Sequence, residues 1–485
     1  MSLSHKMKLF FFRTGILLLF LFPFLTYAQT SIRTSSWEKN GKKTIKLKNG
    51  STEYEIEYEG DISVNDSDTD ITAITKGGFI KISKSSFGSK RRVEISPDGS
   101  GRLVKKYYVG NSKQDFEPEG RKWLAEVLPD IVRSTTIAAK QRVDRFYKKG
   151  GTSGVLTGIK DLESDYVRAA YFSLLMKKDP ASSDMPRIAQ VAGEEIGSDH
   201  YLAQVLGRGQ DKFLASSQGS EAFITASNQL ESDHYQAQVL MMAVKNGKVN
   251  NTQLGKMLST AKGLDSDHYM AQVLSGMISE RDLNNENLST LVKLTNNIQS
   301  DHYRAQILQK AMAEGDLSEE ALNTVIKSMS EMGSDHYIVR VFMKMSEADI
   351  KGKDMKMLSD IISNKIGSDH YKLQSLNRLV KVSELSSSDF THLLNAASSM
   401  GTDHYLRDFL MQLSQAKTPT ESQLVRILEL ASEKIGTDHH LMAVLLNYAG
   451  HVNKSGNNAK SAYKAAAKKI STEHYYGRAM KALSD

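Results

Sequence analysis

The sequence predicts a mainly α protein, an α-solenoid of about ten 34-residue helix-pair repeats preceded by a small all-β domain. Three observations carry this reading. A Ser-Asp-His-Tyr tetrapeptide or a close variant recurs with its acidic residue at Asp165, Asp199, Asp233, Asp267, Asp301, Asp335, Asp369, Asp403, Asp438 and Glu473, in steps of 34 and finally 35 residues. Between copies run two stretches of helical hydrophobic period. Ahead of the first copy the chain alternates apolar and polar residues as strands do.

The chain opens with Lys6, Lys8 and Arg13 ahead of an apolar run from Ile16 to Leu25, closed by Thr26-Tyr27-Ala28 before Gln29. Such a run is too short to span a bilayer, which takes roughly 20 residues, and has the length of a secretory signal's apolar region. Residues 1–28 are expected to be removed, leaving a periplasmic or secreted bacterial protein. The absence of cysteine rules out disulfides, a lipidated N-terminal cysteine and a thiol nucleophile, and suits an oxidising exterior.

Residues 29–116 read as the β-rich domain. From Thr52 to Glu59, Tyr54, Ile56 and Tyr58 fall on one face and Glu53, Glu55, Glu57 and Glu59 on the other. Further strands fit Ile71 to Thr75, Phe79 to Ser83, Arg92 to Ile95 and Leu103 to Val109, with Pro97-Asp98-Gly99-Ser100-Gly101 turning the last two into a hairpin. The acidic run Asn65-Asp66-Ser67-Asp68-Thr69-Asp70 has the spacing of the first half of a calcium loop. It lacks the central glycine and closing glutamate of an EF-hand and reads as a polar turn. Residues 117–162 form a helical transition and a degenerate first repeat, with Trp123, Leu124, Val127 and Leu128 placed to cover the sheet.

Residues 163–485 are the tandem repeats. In the copy at Ser232, the serine stands at an N-cap position, Asp233 lies in the first turn, and Tyr235, Val239 and Met242 form an apolar stripe. Lys245-Asn246-Gly247-Lys248 ends this helix. A second helix follows with Leu254, Met257, Leu258, Ala261 and Leu264, and its frame returns as Leu322, Val325, Ile326, Met329, Met332 and as Phe390, Leu393, Leu394, Ala397, Met400. Gly333, Gly367 and Gly401 are expected to act as C-caps abutting the next Ser or Thr N-cap. Helices of about 12 residues are marginal alone, so the units stack to share a core and the last copy caps the array.

Thirty-four residues is the tetratricopeptide length, but the Trp-x-x-Leu-Gly-x-x-Tyr pattern is absent, as is the ankyrin Thr-Pro-Leu-His. Helix pairing and length resemble short HEAT-type repeats. The tandem helix start seen at Ser164-Asp165-Tyr166 resembles the repeat regions of bacterial envelope proteins related to BlaR-type membrane metallopeptidase sensors. The stretch from Gly77-Gly78-Phe79-Ile80-Lys81-Ile82 to Trp123-Leu124-Ala125-Glu126-Val127-Leu128-Pro129 is similar to the segment preceding those repeats, so the likeness covers most of the chain after Ala28. The peptidase motif His-Glu-x-x-His is missing, and no histidine here is followed by glutamate. Peptidase activity is therefore not implied.

The recurring histidines, His200, His234, His268, His302, His336, His370, His404, His439 and His474, form a candidate polar row. A metal site is disfavoured by geometry. Adjacent helical residues point about 100° apart, and stacked helices about 8–10 Å apart hold such histidines too far from one ion for bonds of about 2 Å. The residues four further on are Gln204, Gln238, Gln272, Gln306, Arg340, Gln374, Asp408, Ala443 and Arg478, mostly neutral couples. No cofactor is expected. The expected roles are architectural: Ser198, Ser232, Ser266 and Ser300 cap their helices, Asp199, Asp233, Asp267 and Asp301 satisfy the amides of those helix starts, and Tyr201, Tyr235, Tyr269 and Tyr303 anchor the core. Histidine with glutamine is expected to make a row between units, one able to line a binding groove or to titrate with envelope pH. The residue after each tyrosine varies freely (Leu202, Gln236, Met270, Arg304, Ile338, Lys372) and is expected to face solvent or a partner.

Without residues 1–28 the formal charge falls from +7 to +4, and the basic excess lies in residues 29–150, with 24 Lys and Arg against 17 acids. Clusters such as Lys90-Arg91-Arg92 and Lys105-Lys106 read as solvated strand faces, and the domain offers a contact to an anionic envelope surface. Export argues against nucleic acid as partner. No Gly-x-Ser-x-Gly elbow or Walker loop is present, and a motif repeated nine times is unlike a single irregular active site. The function expected is a non-enzymatic periplasmic scaffold binding a protein or peptide on the solenoid surface. The alternatives are an envelope sensor of a ligand or metal in a stress or antibiotic response, and an enzyme of unrecognised type.

Overall fold

The computed structural model describes residues 33–39, 41–314, 317–345, 355–382 and 385–484. The signal-sequence expectation for residues 1–28 lies outside them. Among the described residues no helix is long and apolar enough to cross a membrane. The chain divides into two compact units between Val132 and Arg133, and each is described by itself.

The first unit is antiparallel β, with nine described strands: β1 (Arg33–Lys39), β2 (Lys42–Asn49), β3 (Thr52–Glu59), β4 (Ile62–Val64), β5 (Ile71–Ile74), β6 (Phe79–Ser86), β7 (Ser89–Pro97), β8 (Leu103–Val109) and β9 (Ser112–Gln114). Seven form one sheet in the order β1-β2-β3-β6-β7-β8-β9, and β4 pairs with β5. The alternation in β3 has the predicted consequence, with Tyr54, Ile56 and Tyr58 buried. Register places Ile56 between Ile45 of β2 and Ile82 of β6, and the same face continues into Val93, Ile95 and Tyr107. Burying each such side chain contributes about 1.5–3 kcal/mol.

Five strands were expected, and β1, β2, β4 and β9 add to them. Lys42, Lys43, Lys46 and Lys48 crowd β2 and hide its apolar face of Ile45 and Leu47, while β1 is a polar strand at the sheet edge, paired on one side only. The β7–β8 hairpin forms as expected, its turn held by the Asp98 carboxylate accepting from the Ser100 and Arg102 N–H groups at 2.8 and 3.0 Å. The acidic run is a polar turn between β4 and β5, in which Asn65 Oδ1 accepts from the N–H of Thr69 and Asp70 at 2.8 and 3.1 Å. Asp70 also takes ion pairs from Lys105 and Arg121. At Gly78 a Cβ would stand 2.4 Å from the Glu59 carbonyl oxygen, so only glycine fits where the chain doubles back. The helix Arg121–Ser134 then lies against the sheet, with Trp123, Leu124, Val127 and Leu128 buried and Trp123 6.0 Å from the Tyr107 ring.

The second unit is an array of paired helices. Motif helices start at each acidic residue, as in Asp199–Phe213, Asp233–Asn246, Asp267–Glu280 and Asp301–Glu314. Intervening helices lie between them, as in Ser217–Ser227, Asn251–Ala261, Asn285–Leu294 and Glu319–Glu331. Motif helices pack on motif helices of the adjoining repeats, and intervening on intervening. Each pair therefore finishes its core only against its neighbours.

The apolar frame of the intervening helices is buried throughout: Leu254, Met257, Leu258, Ala261 and Leu264, and likewise Leu322 to Met332 and Phe390 to Met400 at the predicted positions. The motif helices correct the predicted stripe. Val239 is buried, but Tyr235 and Met242 are only half so, and the core face is Gln236, Ala237, Val239, Leu240, Ala243 and Val244. This wider face results from packing against both the helix's own partner and the next motif helix. Gly247 ends Asp233–Asn246 in the left-handed region at φ 81°, as predicted. Gly333, Gly367 and Gly401 do not adopt positive φ, so they are not left-handed C-caps. Their backbone N–H groups have another use.

Candidate functional site

The motif places three different functions on three successive residues. At the serine, backbone φ and ψ are those of an N-cap (−82° and 119° at Ser232), yet no side-chain capping bond forms at Ser198, Ser232, Ser266, Ser334, Thr402 or Thr437. The expected serine cap is therefore corrected. Side-chain caps sit on the intervening helices instead: Ser216, Asn250, Asn284, Ser318, Ser386 and Thr420 each accept from an N–H in the first turn. Asn250 with Gln253, Ser386 with Asp389 and Thr420 with Gln423 complete reciprocal capping boxes, a four-residue pattern legible in the sequence.

The aspartate reaches out of its repeat. Asp165 accepts from the backbone N–H of Ser198 at 2.8 Å, Asp199 from Ser232 at 2.6 Å, Asp233 from Ser266 at 2.6 Å and Asp267 from Ser300 at 2.7 Å. Asp301, Asp335 and Asp369 each take two donors with one oxygen, the N–H groups of Gly333 and Ser334, Gly367 and Ser368, and Gly401 and Thr402, at 2.7–3.0 Å. Thus the carboxylate satisfies the helix start of the following repeat, not of its own as expected. Asp403 and Asp438 continue the series to Thr437 and Thr472. Burial pushes the Asp403 carboxyl up, but the hydrogen bonds from Thr437 outweigh it and hold the group below the usual range. Asp438 is lowered by the Thr472 hydroxyl and by the N–H groups of Thr472 and Ser471.

Histidine and tyrosine form a ladder. His200, His234, His268, His302, His336 and His370 are exposed, while Tyr201, Tyr235, Tyr269, Tyr303, Tyr337 and Tyr371 are half-buried and pack on the core from its edge. The tyrosines are thus boundary residues and not full core anchors. Each histidine from His200 to His336 meets its own tyrosine at 5.0–5.1 Å and the tyrosine of the next repeat at 5.6–6.3 Å, rings edge to face. Nδ1 of His200, His268 and His336 lies 3.3, 3.1 and 3.3 Å from the hydroxyls of Tyr235, Tyr303 and Tyr371. The expected histidine–glutamine row is replaced by this contact. His370 does lie 3.1 Å from Gln374, and it also continues the ladder to Tyr405.

The ladder changes at its C-terminal end. His404 stacks on Tyr405 at 3.9 Å, and His440 occupies the next tyrosine position with its Nδ1 2.7 Å from the Arg407 guanidinium. Burial and then the Arg407 cation push the His440 pKa down from 6.5. His439 and His474 resume ring contact with Tyr475.

The variable residue after each tyrosine is buried, not exposed as expected: Leu202, Gln236, Met270, Arg304, Ile338 and Lys372 all lie within the core wall. The polar ones donate to backbone carbonyls, Gln236 to Ser227, Arg304 to Ile298 at 2.7 Å and Lys372 to Ser399 at 2.8 Å. This position tolerates variety because a long side chain there ends on a helix C-terminus, where orphan carbonyls accept it. An open groove of about 790 Å³ lies elsewhere, between Met185–Glu195 and Ser217–Ser227, lined by Arg187, Gln190, Glu194, Glu221 and Gln229 among others. Among the described residues no three histidine or acidic side chains converge as metal ligands would.

No family model matches the chain, and no curated protein matches it. Among solved structures, a circular tandem repeat protein with novel repeat topology and enhanced subunit contact surfaces is 14% identical over 76% of this chain and 78% of that one, at a TM-score of 0.17. A second, from the computational design of self-assembling cyclic protein homooligomers, is 11% identical over 66% of this chain and 94% of that one, at a TM-score of 0.10. By its own architecture the chain is a helical tandem-repeat protein behind an antiparallel β domain.

Proposed function

We propose that this protein is a non-enzymatic, exported interaction scaffold of the bacterial envelope that binds a protein or peptide along the histidine–tyrosine ladder. The observation carrying this reading is the exposure of the histidines beside half-buried tyrosines at a fixed repeat spacing. The exposed histidine rings lie outside the core and outside the aspartate contacts, so they are available to a partner. Tyrosine offers large, rigid contact area at low entropic cost, and histidine adds adaptable hydrogen bonding. The envelope setting rests on the signal-like first 28 residues and on the resemblance to the repeat regions of BlaR-related proteins.

The test compares capture from envelope extract by the chain from Gln29 onward and by its His234→Ala, His268→Ala, His302→Ala triple variant. A discrete partner held by the first and lost by the second, with melting temperature unchanged, is the expected result. Identical capture by both refutes the ridge as the binding surface. Capture abolished by a chelator, with stoichiometric metal on the protein, replaces the scaffold by the metal-sensing alternative.

A further inference from the structure

The β sheet gathers three turns at one end. The Asn49↔Thr52 pairing closes the β2–β3 turn, Ser86↔Ser89 the β6–β7 turn and Val109↔Ser112 the β8–β9 turn. Thr52 pairs with Ser86, Arg91 pairs with Val109, and the Gly110 N–H donates to the Lys90 carbonyl at 2.8 Å, so the three turns share one rim. β1 also starts there, Arg33 opposite Lys48.

At the centre of this rim Phe87 is 91% exposed. Phe87 and Gly88 form the two-residue loop of the β6–β7 hairpin with φ of 45° and 82°. Positive φ at both central residues is the type I′ requirement, ordinarily met by Asn-Gly, and a bulky aromatic is an unfavourable occupant of the first position. The ring is therefore kept outside the fold against local preference. Around it the turn segments supply Lys48, Lys90, Arg91 and Lys113, all exposed, against Glu53, opposite Lys48, and Glu55, which lies level with Lys113 and is already paired with Lys46.

We propose that this rim docks on an anionic lipid surface, Phe87 entering the interfacial layer and Lys48, Lys90, Arg91 and Lys113 meeting headgroup phosphates. A single proud aromatic ringed by cations suits an interface where an apolar layer lies beneath negative charge. It offers neither the flat area nor the pocket that a folded protein partner needs.

Flotation of the chain from Gln29 onward, which keeps every described element and omits the apolar run 16–25, tests this directly. Vesicles of phosphatidylglycerol with phosphatidylcholine are expected to carry the protein, and pure phosphatidylcholine vesicles are not, with release as salt rises. Lys90→Ser and Arg91→Ser each weaken partitioning about fivefold. Phe87→Asn weakens it about tenfold while raising the melting temperature, because Asn-Gly suits the turn. Failure to float with anionic vesicles, or flotation indifferent to these variants, overturns the proposal and leaves the rim to a protein ligand.

Discussion

The Asp267 carboxylate accepts the backbone N–H of Ser300 at 2.7 Å and that of Gln299 at 3.0 Å, joining two residues 33 positions apart in sequence. Hydrogen bonds to a charged group contribute about 1.5–3 kcal/mol when partly shielded. Asp267→Ala is accordingly expected to lower unfolding free energy by about 2 kcal/mol, and Asp267→Asn, which keeps an acceptor, by about half of that. Ser266→Ala, at an N-cap position without a side-chain capping bond, is expected to stay within about 0.5 kcal/mol. Urea denaturation of the three variants decides between this inter-repeat role and ordinary capping, which would reverse the order.

The pKa of His440 is depressed from 6.5, so between the unfolded and folded values the unfolded chain binds the additional proton. Its contribution to stability is present above pH 6.5 and is lost as pH falls through the folded value. Arg407, His439, His404 and Asp403 face this ring, and the three cationic or titrating neighbours outweigh the one carboxylate. Asp403 and Asp438, both held low, lose their contributions only in more acid solution, below the usual 3.8. His440→Gln is expected to flatten the stability profile between pH 7 and 5, read from thermal melts, and leave the more acidic limb in place.

Arg304 is buried and gives its Nε and Nη2 hydrogens to the Ile298 carbonyl. The equivalent position elsewhere holds Met270, so Arg304→Met is expected to be neutral or stabilising by about 1 kcal/mol, since a packed apolar side chain replaces a costly buried cation. Arg304→Ala leaves a cavity and is expected to cost about 2–3 kcal/mol. Equal loss in both would show that the carbonyl contact, not volume, governs the site.

Tyr303 packs on the core edge and holds its hydroxyl 3.1 Å from His268 Nδ1. Tyr303→Phe keeps the ring and is expected to cost less than about 1 kcal/mol. Tyr303→Ala removes the packing and is expected to cost about 3 kcal/mol. Chemical denaturation measures both.

Residues acting within one helix were legible in the sequence. Leu254, Met257, Leu258 and Ala261 declare their period over a single turn or two, and Gly247 declares a helix end. The contacts of Asp267 and His268 were not, because their partners are in the next repeat and no local pattern marks them. Arg304 misled because its chemistry suggests solvent, whereas only the fold brings the Ile298 carbonyl within reach. β2 was missed because lysines share its strand with Ile45 and Leu47.

Because each aspartate grips only the next helix start, the array's register is carried by a link that does not know its own ordinal. Excising the 34 residues from Asp233 to Ser266 would leave Ser232, still held by Asp199, directly before Asp267, which goes on holding Ser300, the same joints in the same frame. Excising 17 would set a carboxylate against the wrong helix. The length of the protein is thus free to change in whole copies, and inheritance can lengthen or shorten the ridge without inventing a new joint.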